Sequence, residues 1–197
     1  MMFADSSAAH TPAPCDCPPP PTTVRLRDGS AVRLRDAVAS DLPRLREMFF
    51  SLSDTTRYLY FCAGVPRNEH WAERVAALAS ADQRASYAMV VEVEGAVVGV
   101  ARFDRAADGE SAEIGILLAD AWQSRGLGGE VVAWLRAEAD CRELTSFTGT
   151  LLGENRRALR LLRRAFPTMR ASLSYGQFSV VMPFEPLAEA APAGQNS

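Results

Sequence analysis

Ser111-Ala112-Glu113-Ile114-Gly115-Ile116-Leu117-Leu118, then Ala119-Asp120-Ala121-Trp122, then Gln123-Ser124-Arg125-Gly126-Leu127-Gly128-Gly129, is the stretch on which the fold turns. Its first part is apolar, β-rich and bounded by turn residues, which reads as a buried strand. Beyond it Leu127, Val131, Trp134 and Leu135 recur at helical spacing, so an amphipathic helix opens at Gly126 and runs toward Asp140. A strand, a glycine-rich turn and a helix start make an anion seat, because first-turn amides lack intrahelical partners and the helix dipole favours negative charge there. Glycines at 126, 128 and 129 let an oxygen come close to the backbone. The seat suits a phosphate or diphosphate. It has neither the Gly-Lys-Ser/Thr of a nucleotide P-loop nor the full spacing of a dinucleotide fingerprint.

Outward from this centre the chain punctuates itself clearly. Val24, Leu26, Val32 and Leu34 alternate with Arg25, Arg27, Arg33 and Arg35 about an Asp28-Gly29 turn, which reads as a hairpin with a solvated arginine face. Ser40 or Asp41 caps a helix with Pro43 in its first turn and Leu42, Leu45, Met48, Phe49 and Leu52 along one face. Residues 54–61 and 67–79 read as two further helical pieces, with Tyr58, Tyr60, Phe61, His70 and Trp71 as pocket or core aromatics. Residues 87–93 and 96–103 form a hairpin around Glu94-Gly95. Residues 144–151 read as a strand, 155–166 as a helix, and 171–175 with 178–184 as a last hairpin around Gly176. The proline-rich residues 1–21, with Cys15 and Cys17, read as a disordered leader, and 186–197 as a disordered tail. One domain over residues 22–185 is the expected organisation.

Composition narrows the function classes. A formal net charge of −3 argues against a general grip on nucleic acid, and a DNA-binding regulator fits poorly. No run approaches the ~18 apolar residues of a membrane span, so no membrane partner is expected. No secretory signal is visible, and the four cysteines form no evident disulfide framework, which points to a cytoplasmic setting. No cluster has metal-ligand spacing, so no metal is expected. All 21 basic residues are arginine. A chain without lysine cannot be modified on its own lysine side chains.

Gln123-x-x-Gly126-x-Gly128, the acidic strand before it, and Glu154-Asn155-Arg156-Arg157-Ala158 after it resemble the GNAT superfamily of acyl-CoA-dependent N-acyltransferases. Residues 28–35, 50–53 and 57–59 add a similarity to the catalytic domain of bacterial protein-lysine acetyltransferases. The resemblance implies an α/β (α+β) fold: a mixed, mostly antiparallel twisted sheet of about six to seven strands. In it the central strand carries a bulge and splays from its neighbour, and about four helices flank the sheet. It implies acetyl-CoA as cosubstrate, bound by the backbone of Ile116, Leu117 and Leu118 and by Gln123, Ser124, Arg125, Gly126, Leu127, Gly128 and Gly129, with Asn155 on the CoA arm. An amide near Leu118 becomes the oxyanion donor.

A lysine-type amine has an ordinary pKa of ~10.4, so acyl transfer to it at neutral pH needs a base. Glu113 shares a strand face with Gly115 and Leu117 and stands where the lysine acetyltransferase-like domains carry their catalytic glutamate. The resemblance thus implies direct attack in a ternary complex on a protein lysine, with a small amine as the alternative acceptor. A non-catalytic acyl-CoA-responsive module is the alternative from a different class. Many relatives place a tyrosine acid two turns after the asparagine. Here Leu162 stands there, and Tyr175 is a substitute candidate. The state of assembly is monomer or homodimer.

Overall fold

The computed structural model describes residues 21–79 and 86–184. The proline-rich leader through Pro20, with Cys15 and Cys17, and the tail from Pro186 lie outside the described residues. Eight strands form one sheet: β1 (Thr22–Arg25), β2 (Ala31–Asp36), β3 (Ser86–Val93), β4 (Ala96–Arg105), β5 (Ser111–Leu118), β6 (Ser146–Leu152), β7 (Arg170–Ser174) and β8 (Gln177–Pro183), in the order β1-β2-β3-β4-β5-β6-β8-β7. Five helices accompany them: α1 (Leu42–Ser51), α2 (Asp54–Phe61), α3 (Glu69–Ala76), α4 (Leu127–Cys141) and α5 (Arg156–Ala165). Among the described residues the strand count is slightly above the expected one, because the β1–β2 and β7–β8 ribbons each add an edge strand, and the helix count exceeds it by one.

Local chemistry accounts for the boundaries. Glu94 and Gly95 both take positive φ, 48° and 84°, as the β3–β4 turn requires. Ser53 and Asn68 cap α2 and α3, each accepting a backbone N–H three residues on. Asp41 precedes α1 yet does not cap it. Its carboxylate is instead fully buried against Arg35 and Arg44, each at 2.7 Å, and accepts the Val38 N–H at 3.0 Å. Arg35 also reaches Glu92 on β3 at 2.7 Å. The arginine face expected to be solvated is therefore partly an ion-pair network that ties α1 to the sheet edge.

Two apolar layers sandwich the sheet. Val32, Leu34, Met89, Phe103 and Phe147 pack under α4 and α5, which supply Val131, Leu135, Leu159 and Leu162. Ala88, Val90, Val97, Val100 and Leu117 pack under α1 and α3. On β4 the alternation breaks once: the register with β3 shifts between Val91 and Glu92, leaving Val98 as an extra residue. Parity then flips, so Val97 and Val100 face the same layer. The bulge thus lies on β4. β5, where a bulge was expected, keeps an unbroken register with β4 from Ala112 to Leu118.

The parallel pairing of β5 with β6 is short. Only Ser111, Ala112 and Glu113 have partners on β6, and beyond them β6 continues against β8 alone. The two strands part after Glu113, which is the splay expected after the central strand.

Burial works to raise the Asp41 pKa, but the Arg35 hydrogen bond, the Val38 N–H and Arg44 outweigh it and hold the carboxyl below its ordinary value. A depressed carboxyl stabilises the fold above its unfolded pKa, near ~3.9, and that contribution fades as pH falls through the folded value. Asp41→Asn should cost about 1–3 kcal/mol in urea unfolding at pH 7, because the half-buried Arg35 and Arg44 lose the nearer of the two carboxylates they share and keep only Glu92. The difference from wild type should begin to shrink below about pH 4, where the unfolded carboxyl takes up its proton, and vanish once pH falls below the depressed native value.

Candidate active site

The splay leaves backbone groups of β5 without a strand partner. Ala119 donates its N–H to Val98 on the β4 side at 2.9 Å, while Ala112 and Glu110 turn their carbonyls to Thr148 and Thr145 on the β6 side. Successive residues of a strand present their groups to opposite edges. Leu117 therefore spends its N–H and C=O on β4, whereas Ile116 and Leu118 point into the gap. The Leu118 carbonyl accepts the Gln123 side-chain amide at 2.9 Å. Of the three residues expected along the acyl-CoA arm, Ile116 keeps both groups open and Leu118 keeps its N–H.

The glycine turn follows at once. Asp120–Trp122 forms a single 3₁₀ turn, Ser124 takes φ 63°, and Gly126, before α4, takes φ 94°. The Gln123 N–H is used by Asp120 and the Gly129 N–H by Gly126. Among the described residues the amides of Ser124, Arg125, Gly126, Leu127 and Gly128 have no acceptor. No side chain caps α4, so its positive end stays available. This concave run of donors suits a diphosphate, and the open edge of Ile116 and Leu118 suits a peptide-like chain.

The glycines differ in purpose. A Cβ at Gly128 would stand 2.9 Å from the Leu161 side chain of α5, so this glycine lets the two helices approach. Gly129 has open space around it, as a bound ligand requires. Gly126 lies against the side chain of Arg27, delivered by the β1–β2 turn. Arg125 is tethered to Asp28 at 3.0 Å and stacked 5.0 Å over Trp122. Arg27 has no ion pair among the described residues, which makes it a positive group beside the anion seat. Nothing in the loop's own sequence pointed to a residue so far upstream.

Gln123 acts through its side chain. It donates to Thr56 at 3.1 Å as well as to Leu118, and accepts from Arg157 at 2.5 Å. Asp120 accepts from the Ser53 hydroxyl, the Ser53 N–H and the Thr56 hydroxyl at 2.5, 2.9 and 2.7 Å. Burial works to raise the Asp120 pKa, and these bonds hold it below its ordinary value. The loop, α2 and α5 are thereby bolted together at the mouth of the splay.

Glu113 is exposed on the opposite face of β5 from α4. It lies directly across from Asp104 on β4 and beside Thr148 on β6, with no hydrogen bond or ion pair to its carboxylate among the described residues. Two residues along, Gly115 faces the Tyr60 hydroxyl of α2, which a Cβ would approach to 3.2 Å. Burial pushes the Tyr60 phenol up to about 12, Arg102 opposing and Asp104 adding. Arg102 pairs with Asp104 across this same face. Asn155 accepts from the Ala158 N–H at 3.1 Å, which makes it the N-cap of α5 at the far side of the gap. Leu162 is buried in the layer under α4, where it has no proton to give. Tyr175 sits fully exposed in the β7–β8 turn.

A splayed central strand, an open run of amides at a helix start and a carboxylate on the opposite strand face come together as the candidate site. The profile of the family described as "Acetyltransferase (GNAT) domain" matches residues 31–165, and the chain belongs to that family. It is an acetyltransferase of that family. The GNAT domain of S. lividans PAT is similar at 25% identity and TM-score 0.74, covering 83% of this chain and 97% of that one. YncA, described as a putative acetyltransferase from Salmonella typhimurium with acetyl-CoA, is similar at 19% identity and TM-score 0.59, over 83% and 99%. RimL, a ribosomal L7/L12 alpha-N-protein acetyltransferase in complex with coenzyme A, is similar at 16% identity and TM-score 0.57, over 76% and 92%. No curated protein sequence matches the chain. No helix among the described residues is long and apolar enough to cross a membrane.

Gly129→Ala separates packing from ligand contact. With nothing near the new methyl, thermal unfolding should match wild type. CoA affinity by calorimetry should fall about tenfold, because the methyl projects into the open space and holds the diphosphate off the neighbouring amides. Gly126→Ala should lower both, because φ 94° strains any L side chain.

Proposed function

We propose that this acetyltransferase modifies a lysine side chain of a protein, by direct attack in a ternary complex with Glu113 as general base. The observation that carries the reading is the unpaired Glu113 carboxylate on the α2 face of β5, at the point where β5 and β6 part. The resemblance of residues 28–35, 50–53 and 57–59 to bacterial protein-lysine acetyltransferase domains supports a protein acceptor.

Acetyl-CoA supplies an activated acyl carbon on a thioester. The free amides of Ser124 to Gly128, with Arg27 beside Gly126, hold its diphosphate, and Ile116 hydrogen-bonds its amide-bearing arm as another strand would. Asn155 closes the far side of the gap. The acceptor enters beneath α2, past Tyr60. Glu113 takes a proton from the ammonium, directly or through one water, and the freed nitrogen attacks the acyl carbon. The Leu118 N–H donates to the oxygen that gains charge. Collapse breaks the carbon–sulfur bond and expels the thiolate, and the nitrogen gives its second proton to that thiolate or to water, which leaves a neutral amide. A thiol of ordinary pKa ~8.5 leaves without a dedicated acid, which fits a leucine at position 162.

Glu113→Gln should lower kcat about 10²- to 10⁴-fold near neutral pH, the usual worth of a positioned base. The deficit should narrow above about pH 9, as more of the free amine is present without help. CoA affinity should be unchanged. An equal rate for variant and wild type across the pH range removes Glu113 from the reaction.

A further inference from the structure

A cavity of about 650 Å³ opens between α2, the end of β6, one flank of α5 and the β7–β8 turn. Leu152 and Leu159 supply apolar wall, Tyr58 stands at one side, and Glu154, Arg156 and Arg163 supply charge. The two flanks of α5 have different uses. Arg157 and Leu161 face the glycine loop, through Gln123 and Gly128. Arg156, Leu159 and Arg163, spaced by three and four residues, face the cavity.

The sign of the cavity follows from its partners. The Glu154 carboxylate is hydrogen-bonded to the Tyr58 hydroxyl, which pushes that phenol up. Neither Arg156 nor Arg163 has an ion pair or side-chain hydrogen bond among the described residues. From Arg156 to Arg170 the chain carries six arginines and no acidic residue, within a protein of net charge −3. Two unpaired guanidiniums against one engaged carboxylate leave the space positive. α2 links this space to the reacting face: Tyr60 covers Gly115 beside Glu113, and Tyr58, on the same helix, borders the cavity.

Resting on the reading of a protein lysine as acceptor, we infer that the preferred lysine has an acidic residue beside it. The lysine amine goes to Glu113, and the neighbouring Asp or Glu side chain enters the cavity, where Arg156 and Arg163 receive its carboxylate. Guanidinium–carboxylate pairing of this partly exposed kind adds selectivity of about fivefold rather than a large gain in affinity.

The test compares two lysine peptides, identical except that Glu flanks the lysine in one and Gln in the other. kcat/KM should favour the Glu peptide about fivefold, through KM, and calorimetry on the CoA-loaded protein should give the same ratio of affinities. Arg156→Ala with Arg163→Ala should bring both ratios to one, and Arg163→Lys should keep part of the preference. Arg33→Ala, which removes a charge far from the cavity, should preserve it. Equal kcat/KM and equal affinities for the two peptides in the wild type overturn the inference and leave the lysine reading standing. Absence of acetylation of either peptide overturns the lysine reading. The calorimetric ratio then still decides whether the cavity takes the carboxylate.

Discussion

Parallel pairing between β5 and β6 lasts for three residues and then stops. Up to Glu113 the backbone of β5 is committed on both edges, like any strand inside a sheet. Past Glu113 one edge is uncommitted, and buried or half-buried backbone groups need partners. The protein meets that need in two ways. Gln123 folds back to take the Leu118 carbonyl. The remaining groups stay open, and they form the edge along which an amide-bearing ligand can lie. The rest of the molecule holds this gap at a fixed width.

Several distant segments do the holding. α4 and α5 approach through Gly128 and Leu161 on one face. α2 lies across the gap on the other, fastened by Ser53 and Thr56 to Asp120. Arg57, buried under α2, donates to the Leu52 carbonyl at 2.7 Å and so fixes the chain between α1 and α2. The polar contacts among these are short, charge-assisted or side-chain-to-backbone hydrogen bonds, which fix geometry more tightly than apolar packing alone. Such rigidity is what a reaction that depends on aiming one carbon at one nitrogen requires.

A second polar cluster lies under α4, away from the reacting face. Trp134 donates to the Tyr87 hydroxyl at 2.7 Å, which donates to Asp36 at 2.7 Å. Glu138 is fully buried beside it and paired with Arg142, whose guanidinium also lies 4.7 Å over the Tyr87 ring. Burial pushes the Glu138 carboxyl up despite Arg142. The cluster joins β2 and β3 to α4, the helix whose first turn forms the anion seat, and its directional bonds fix the helix register more narrowly than the surrounding leucines and valines do.

The sequence by itself determined the order and kind of the elements around the site, because alternation, helical spacing and turn residues act over neighbours. The β5 strand, the Gly126 helix start, the Glu94-Gly95 turn and the Asn155 cap follow from residues within four positions of one another. So does the placement of Glu113, Gly115 and Leu117 on one strand face. Tertiary structure alone decided what depends on partners far along the chain. It set which edge of Ile116, Leu117 and Leu118 is open, because that depends on where β6 leaves. It moved the bulge to Val98 on β4, and it turned Gln123 from a backbone donor into a side-chain bridge to Thr56. It brought Arg27 to Gly126 and Tyr60 to Gly115, and it buried Asp41 between two arginines. No local pattern encodes these meetings, since each is fixed by how separate elements fill space and satisfy one another's polar groups.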